Sequence, residues 1–222
     1  MGFFERYRTP ADLPQHIPVF PLAGALLLPR ADLPLNIFEP RYLAMVQDAM
    51  SSDRLIGMIQ PQPAQAGNEV PHLLKIGCAG RITSYAETPD GRLVITLTGI
   101  SRFEIVEELA AVTPYRQVVA DFHPFAIDLV SDLGASEVNR PALVKAFRDY
   151  LNANNMNADW DQVDAASTEV LVNTLSLLAP YPPGDKQALL EAPDLKTRAD
   201  VLVALTEVAL RRMSPGSQTR LQ

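Results

Sequence analysis

The spacing of apolar residues changes period once along this chain, near residue 128, and that change constrains the fold more than any single motif. Upstream, residues 17–122 carry short apolar runs cut by Pro and Gly, as sheets with tight connections do. Pro18 and Pro21 withhold backbone donors from a ladder, so the first segment is expected at a sheet edge or in an irregular extended stretch. ALLLP and LPLNIF read as short strands. RLIGMIQ, apolar on both faces, reads as an interior strand, and PQPAQAGNEVP behind it as a surface loop and the most dispensable piece. IGCAGRITSYAET, the turn residues PDG, and RLVITLTGISRFEIVEEL predict one long hairpin, with Val94, Thr96 and Thr98 alternating against Ile95, Leu97 and Gly99. Gly77, Gly80 and Gly99 inside these patterns mark bends or bulges, which makes the sheet strongly coiled or a small barrel. PYRQVVADF supplies a further strand.

Downstream the period is helical. Leu143, Phe147, Tyr150 and Leu151 fall at i, i+4, i+7 and i+8 and form one apolar face. STEVLVNTLSLLA repeats the pattern, with Ser167 or Thr168 as its cap and Pro180 beyond its end. PGDKQALLEA predicts a short helix. DLKTRADVLVALTEVALRR predicts a long one, capped by Asp194 and closing with Arg211 and Arg212 at the favourable end of its dipole. A chain of 222 residues that is 47% hydrophobic can bury two packed units. The expected class is therefore α+β: a β-rich unit over residues 1–124, a helical bundle over 125–212, and a disordered tail over 213–222. PFAIDLVSDLGAS interrupts both periods and divides the two units.

Charge and composition then narrow the function. A net charge of −7, from 19 Lys+Arg against 26 Asp+Glu, works against steering toward nucleic acid or anionic membrane. Cys78 is the only cysteine, which excludes an internal disulfide and a thiolate-rich zinc site and fits a reducing cytoplasm. The first ten residues carry Glu5, Arg6 and Arg8 and do not form a secretory signal. Pro18, Pro21 and Pro29 cut the longest apolar stretch below membrane-spanning length. His16, His72 and His123 lack metal-ligand spacing, so no metal or cofactor is expected. Cys78 with His72 or His123 could be drawn as a nucleophile and base, but a Cys among Gly77, Ala79 and Gly80 is most simply a small strand residue. Trp160 reads as an anchor at a helix start.

FEPRYLAMVQDAM is a strand-to-helix junction. Pro40 suits the first helical position, Glu39 precedes it as cap, and Tyr42, Val46, Ala49 and Met50 form a buried face. Arg41, Gln47 and Asp48 then point away from that face.

These stretches also carry a resemblance. IPVFPLAGALLLPRADLPLNIFEPRYLAMVQDAM, GCAGRITSYAETPDGRLVITLTGISRFEI and PYPPGDKQALLEAPDLKTRADVLVALTE together resemble the amino-terminal domain of Lon proteases, over residues 17–210. That domain also occurs as free-standing bacterial proteins and in cereblon. The resemblance implies a PUA-like β domain followed by a helical bundle, and recruitment of polypeptide substrates. Lon's ATPase module is not expected, because a phosphate-cradling loop needs a Gly-Lys step and this sequence has none. With only Lys75, Lys145, Lys186 and Lys196 and no room for a third domain, a Lon-type peptidase is not expected either. The resulting expectation is a cytoplasmic, non-enzymatic module that binds unfolded or exposed segments of other proteins, with a protease or chaperone as a further partner. Asn36, Phe38, Glu39, Arg41 and Tyr42 are the candidate contacts, in a groove between the β domain and the first helix. The alternative is an RNA-binding PUA-like module using Arg81, Arg92, Arg102 and Arg116. Net charge, few lysines and no interleaved exposed aromatics speak against it.

Overall fold

The computed structural model describes residues 6–63, 71–110 and 112–213. Six strands form one sheet: β1 (His16–Pro21), β2 (Asp32–Ile37), β3 (Leu55–Ile59), β4 (Ile76–Glu87), β5 (Leu93–Glu108) and β6 (Arg116–Asp121). Their order is β2-β5-β4-β3-β1-β6, and an additional β5–β6 pairing closes five of them into a barrel. The length of β5 makes this closure possible: its first half pairs with β2 and its last residues with β6. All pairings are antiparallel except β1 with β3.

The predicted hairpin is β4–β5, joined through Gly91 at φ 79°, and the expected bulge lies between Ala79 and Gly80, opposite Gly99. A Cβ on Gly99 would lie 2.0 Å from the carbonyl oxygen of Leu28, so only glycine lets the preceding crossover run this close. That approach also corrects the reading of ALLLP as a strand. Leu26, Leu27 and Leu28 are buried but unpaired. The chain crosses β5 at one point, where Arg30 N donates to Gly99 O and Gly99 N to Ala31 O, instead of running alongside it. β1 is a second correction, because it is interior and not an edge. Its pairing with β3 begins at Val19 and ends at Pro21, so the prolines fall just before and at the end of that short ladder. β3 is interior and wholly buried, as its two apolar faces require.

The helices are α1 (Pro40–Met50), α2 (Arg140–Ala153), α3 (Trp160–Ala165), α4 (Thr168–Leu178), α5 (Pro183–Glu191) and α6 (Leu195–Met213). Ser167 Oγ caps α4 by accepting from Val170 N at 3.3 Å, and Asp194 caps α6 by accepting from Thr197 N at 2.7 Å. Trp160 opens α3, edge-on to Phe147 and beneath the Arg148 guanidinium. Two 3₁₀ segments, His123–Leu129 and Ala135–Glu137, replace regular structure where both periods fail. Met213 closes α6 and is not part of a tail; the remainder of MSPGSQTRLQ lies outside the described residues, as do 64–70 of the predicted surface loop.

Two apolar clusters hold the structure together. One is built on the barrel strands, with Ile17, Val19, Leu55, Ile100, Phe103 and Val118. The other joins the sheet to the helices through Phe20, Leu27, Met45, Leu143, Val172, Leu189 and Leu202. Each such side chain, fully buried, contributes roughly 1.5–3 kcal/mol. On α1 the buried face is Tyr42, Met45, Val46 and Ala49. Met50 is only half-buried, because Met45 sits nearer the centre of the stripe.

Candidate functional site

The strand-to-helix junction is built from β2 and the start of α1. β2 is the edge strand, paired on one side only, and Asn36 on it lies opposite Val94 of β5 with its side chain exposed. Phe38, at the end of β2, is 63% exposed, and the Arg92 guanidinium stands 6.0 Å from its ring centroid. Exposed Val94, opposite Asn36, extends the apolar character onto β5. Glu39 occupies the helix N-cap without a capping bond from its side chain. Its carboxylate accepts instead from Arg41, through Nε at 2.9 Å and Nη2 at 2.8 Å. The Arg41 guanidinium lies 4.5 Å from the Tyr42 ring, and Tyr42, only 5% exposed, packs 4.1 Å from Phe20. Asn36, Phe38, Glu39 and Arg41 are therefore open to solvent, while Tyr42 lies beneath them in the core.

A second constellation lies where the sheet meets the helices. The side chain of Arg102 on β5 is 1% exposed, and its Nε and Nη2 donate to the two carboxylate oxygens of Asp128 at 2.9 and 2.8 Å. Its Nη1 donates to the carbonyls of Leu190 and Ala192, which end α5 and need such a donor. The Arg102 guanidinium also lies 4.5 Å from the Phe125 ring centroid. Arg30, held at φ 61° by the crossover, makes a two-pronged bond to Glu169 of α4 and donates to Asp128 O at 2.7 Å. Arg198 of α6 donates through Nε to Leu189 O and through Nη1 to Asn173 Oδ1, and Asn173 reaches on to Pro29 O. Arg30, Arg102, Asp128, Glu169 and Arg198 line a cleft of about 210 Å³ whose other walls include Ile127, Val130, Leu133 and Lys196. Burial, reinforced by the neighbouring Arg102 charge, pulls the Arg198 pKa down to about 10.

This seam went unrecognised in the sequence, where Arg102 was grouped with possible RNA contacts. The structure corrects that grouping, since a guanidinium enclosed by Asp128 and the carbonyls of Leu190, Ala192 and Pro193 cannot reach a phosphate. Arg81 donates to Tyr7 Oη and Asp53 O, Arg92 pairs with Asp90, and Arg116 holds Glu108 through two bonds. The four arginines form no strip of free charge. A usable signal existed: Asp128 stands among apolar neighbours in AIDLV and Glu169 leads directly into the apolar run VLV, where an unpaired carboxylate would be costly once buried.

Cys78 is 1% exposed, and burial pushes its thiol pKa far above the ordinary range, so it presents no thiolate to a substrate. His123 is exposed and shares a 2.8 Å contact with Asp121. Among the described residues no group of three or more His, Cys, Asp or Glu is placed to hold a metal ion, and no helix is long and apolar enough to cross a membrane.

A closed barrel with an open edge strand, joined to a helical bundle by buried ion pairs, defines an α+β protein. Residues 16–207 match the family model described as the ATP-dependent protease La (LON) substrate-binding domain, and the chain belongs to that family. Among curated relatives, Lon protease 2 of Myxococcus xanthus is 26% identical over 209 residues, covering 87% of this chain and 24% of the relative. Lon protease of Heliobacterium modesticaldum is 26% identical over 203 residues, covering 90% of this chain and 24% of the relative. The chain thus spans about a quarter of the length of the curated relatives it matches. Among the solved structures that share the fold are two Lon N-terminal domains. One is the N-terminal domain of the Mycobacterium avium complex Lon protease, with TM-score 0.62 and 18% identity over 86% of this chain and 98% of that one. The other is a Lon N-terminal domain protein from Xanthomonas campestris, with TM-score 0.56 and 22% identity over the same shares.

Proposed function

We propose that this protein is a non-catalytic cytoplasmic module that captures exposed segments of other proteins. The observation that carries this reading is the match of residues 16–207 to a substrate-binding family, together with an open edge strand ending in an exposed aromatic. An extended segment adds to the free side of β2 through main-chain hydrogen bonds. Phe38 then supplies apolar contact, Asn36 a polar one, and the Glu39–Arg41 pair an electrostatic bias at the helix start. The reading needs no reacting group, and handover to a protease or chaperone is the natural consequence of capture. The purified protein is accordingly expected neither to hydrolyse ATP nor to cleave unfolded chains.

The test is crosslinking to a reduced, carboxymethylated protein, compared between wild type and Phe38→Ala. Because Phe38 is mostly in solvent, the variant should melt with wild type and lose at least about threefold in capture, equivalent to about 0.7 kcal/mol. Unchanged capture by a folded Phe38→Ala protein would remove the junction as the binding surface.

A further inference from the structure

Among the described residues, one buried side-chain nitrogen lacks a hydrogen-bond partner: Nη2 of Arg198. Buried polar groups are nearly always satisfied, so an orphan on a guanidinium calls for an explanation. Arg198 is 3% exposed and is one of the residues lining the cleft at the seam. The deep charges there are three guanidinium groups, of Arg30, Arg102 and Arg198, against two carboxylates, of Asp128 and Glu169. Both carboxylates are already engaged, Asp128 by Arg102 and Glu169 by Arg30. Arg198 is left with neutral acceptors only, Leu189 O and Asn173 Oδ1. Of the rim carboxylates, Asp194 caps α6 through Thr197 N and lies in the fields of Lys196 and Arg198, and Glu137 lies in the field of Lys196; neither is hydrogen-bonded to Arg198. No carboxylate is hydrogen-bonded to Arg198, and its Nη2 is left without an acceptor.

The rest of the lining indicates what kind of anion fits. Ile127, Val130 and Leu133 are 40%, 53% and 51% exposed, so the cleft carries apolar groups ready to be covered beside a guanidinium nitrogen that lacks an acceptor. A group that satisfies both has a carboxylate and an apolar side chain on adjacent atoms, which is the chemistry of the last residue of a polypeptide. We infer that the cleft receives the C-terminal carboxylate of a bound polypeptide at Arg198, with the terminal apolar side chain packed on Val130 and Leu133. The inference rests on the polypeptide-binding reading above and gives it a second contact point. Nη2 itself has almost no accessible surface, so the carboxylate must part the lining side chains, and association is slower than for a preformed site.

The test uses the full chain and an acetylated tetrapeptide ending in leucine, as free acid and as carboxamide, with acetate and inorganic phosphate as competitors. The free acid should bind at least about tenfold tighter than the carboxamide, a difference of about 1.4 kcal/mol. Arg198→Met should reduce the acid to the level of the amide, with Arg198→Lys keeping part of the preference. Leu133→Ser, at an exposed position, should weaken the acid about threefold with an unchanged melting curve. The wild-type comparison stands even if the Arg198 variants fail to fold. Equal binding of acid and amide, or no binding of either, overturns the inference. So does displacement of the peptide by acetate or phosphate at equal concentration, since the site would then hold a free anion only. If acid and amide are equal while Phe38→Ala still loses capture, the carboxylate site fails and the junction reading survives.

Discussion

Arg41 and Arg102 are the same residue type in adjoining regions of one fold, and they do opposite things. Arg41 sits at the strand-to-helix junction with its side chain 53% exposed, holding a neighbouring carboxylate two residues away. Arg102 sits at the seam, enclosed by Asp128 and the carbonyls that end α5. Water screens the first pair, which is therefore weak and free to exchange partners. The second has lost its hydration and depends on every one of its protein partners. The lesson is that a charge left in water, as at Arg41, stays free to meet a ligand, whereas a charge whose donors are all taken up inside the protein, as at Arg102, holds the sheet to the helices.

The largest effect should come from breaking the seam. Arg102→Ala leaves Asp128 buried without its cation and strips a donor from the last carbonyls of α5, so it should destabilise the fold by about 3–5 kcal/mol in chemical denaturation. The double variant Arg102→Met with Asp128→Leu should recover much of that loss, because removing both charges is cheaper than stranding one. If Arg102→Ala melts with wild type, the seam is not what joins the two regions.

A smaller effect is expected under the junction. Tyr42 packs on Phe20 in the cluster shared by α1 and the sheet, so Tyr42→Ala should cost about 3 kcal/mol. Tyr42→Phe keeps the packing and should stay within about 1 kcal/mol of wild type. Equal losses for the two variants would mean that the hydroxyl, and not the ring, is what the site needs.

How much of this was legible in the sequence depends on the distance over which each signal acts. Caps, helix faces and the β4–β5 hairpin are local, and Ser167, Asp194 and the glycines of β4 and β5 announced them through spacing alone. Pro18 was misleading because proline reports a missing donor but not which neighbour lacks it; β1 accommodates it by beginning its ladder to β3 one residue later. The three leucines before Pro29 read as a strand because composition cannot separate a buried crossover from a paired one. The seam was the least visible, since Arg30 and Glu169 are 139 residues apart and only the packing of α4 against the sheet brings them together. Of the five junction residues, exposure separates Tyr42 from the rest, and periodicity had already placed Tyr42 on the buried face of α1.

The smallest effect on stability should come from Arg41, and it tests the comparison most directly. Its guanidinium reaches Glu39 and the Tyr42 ring, but both contacts are made at the surface. Arg41→Ala should therefore change stability by no more than about 1 kcal/mol, as exposed ion pairs do. Capture is a different matter. A charge fixed at the end of an edge strand biases where an incoming segment stops and which side chains it tolerates there, without supporting the core. Arg41→Ala should keep its melting curve and lose part of its crosslinking to unfolded polypeptide, with the loss shrinking as salt is raised and screening does the same work in the wild type. If Arg41→Ala unfolds the protein, or if capture is untouched at low salt, then the junction is a folding device like the seam, and the contrast between the two arginines is one of degree only.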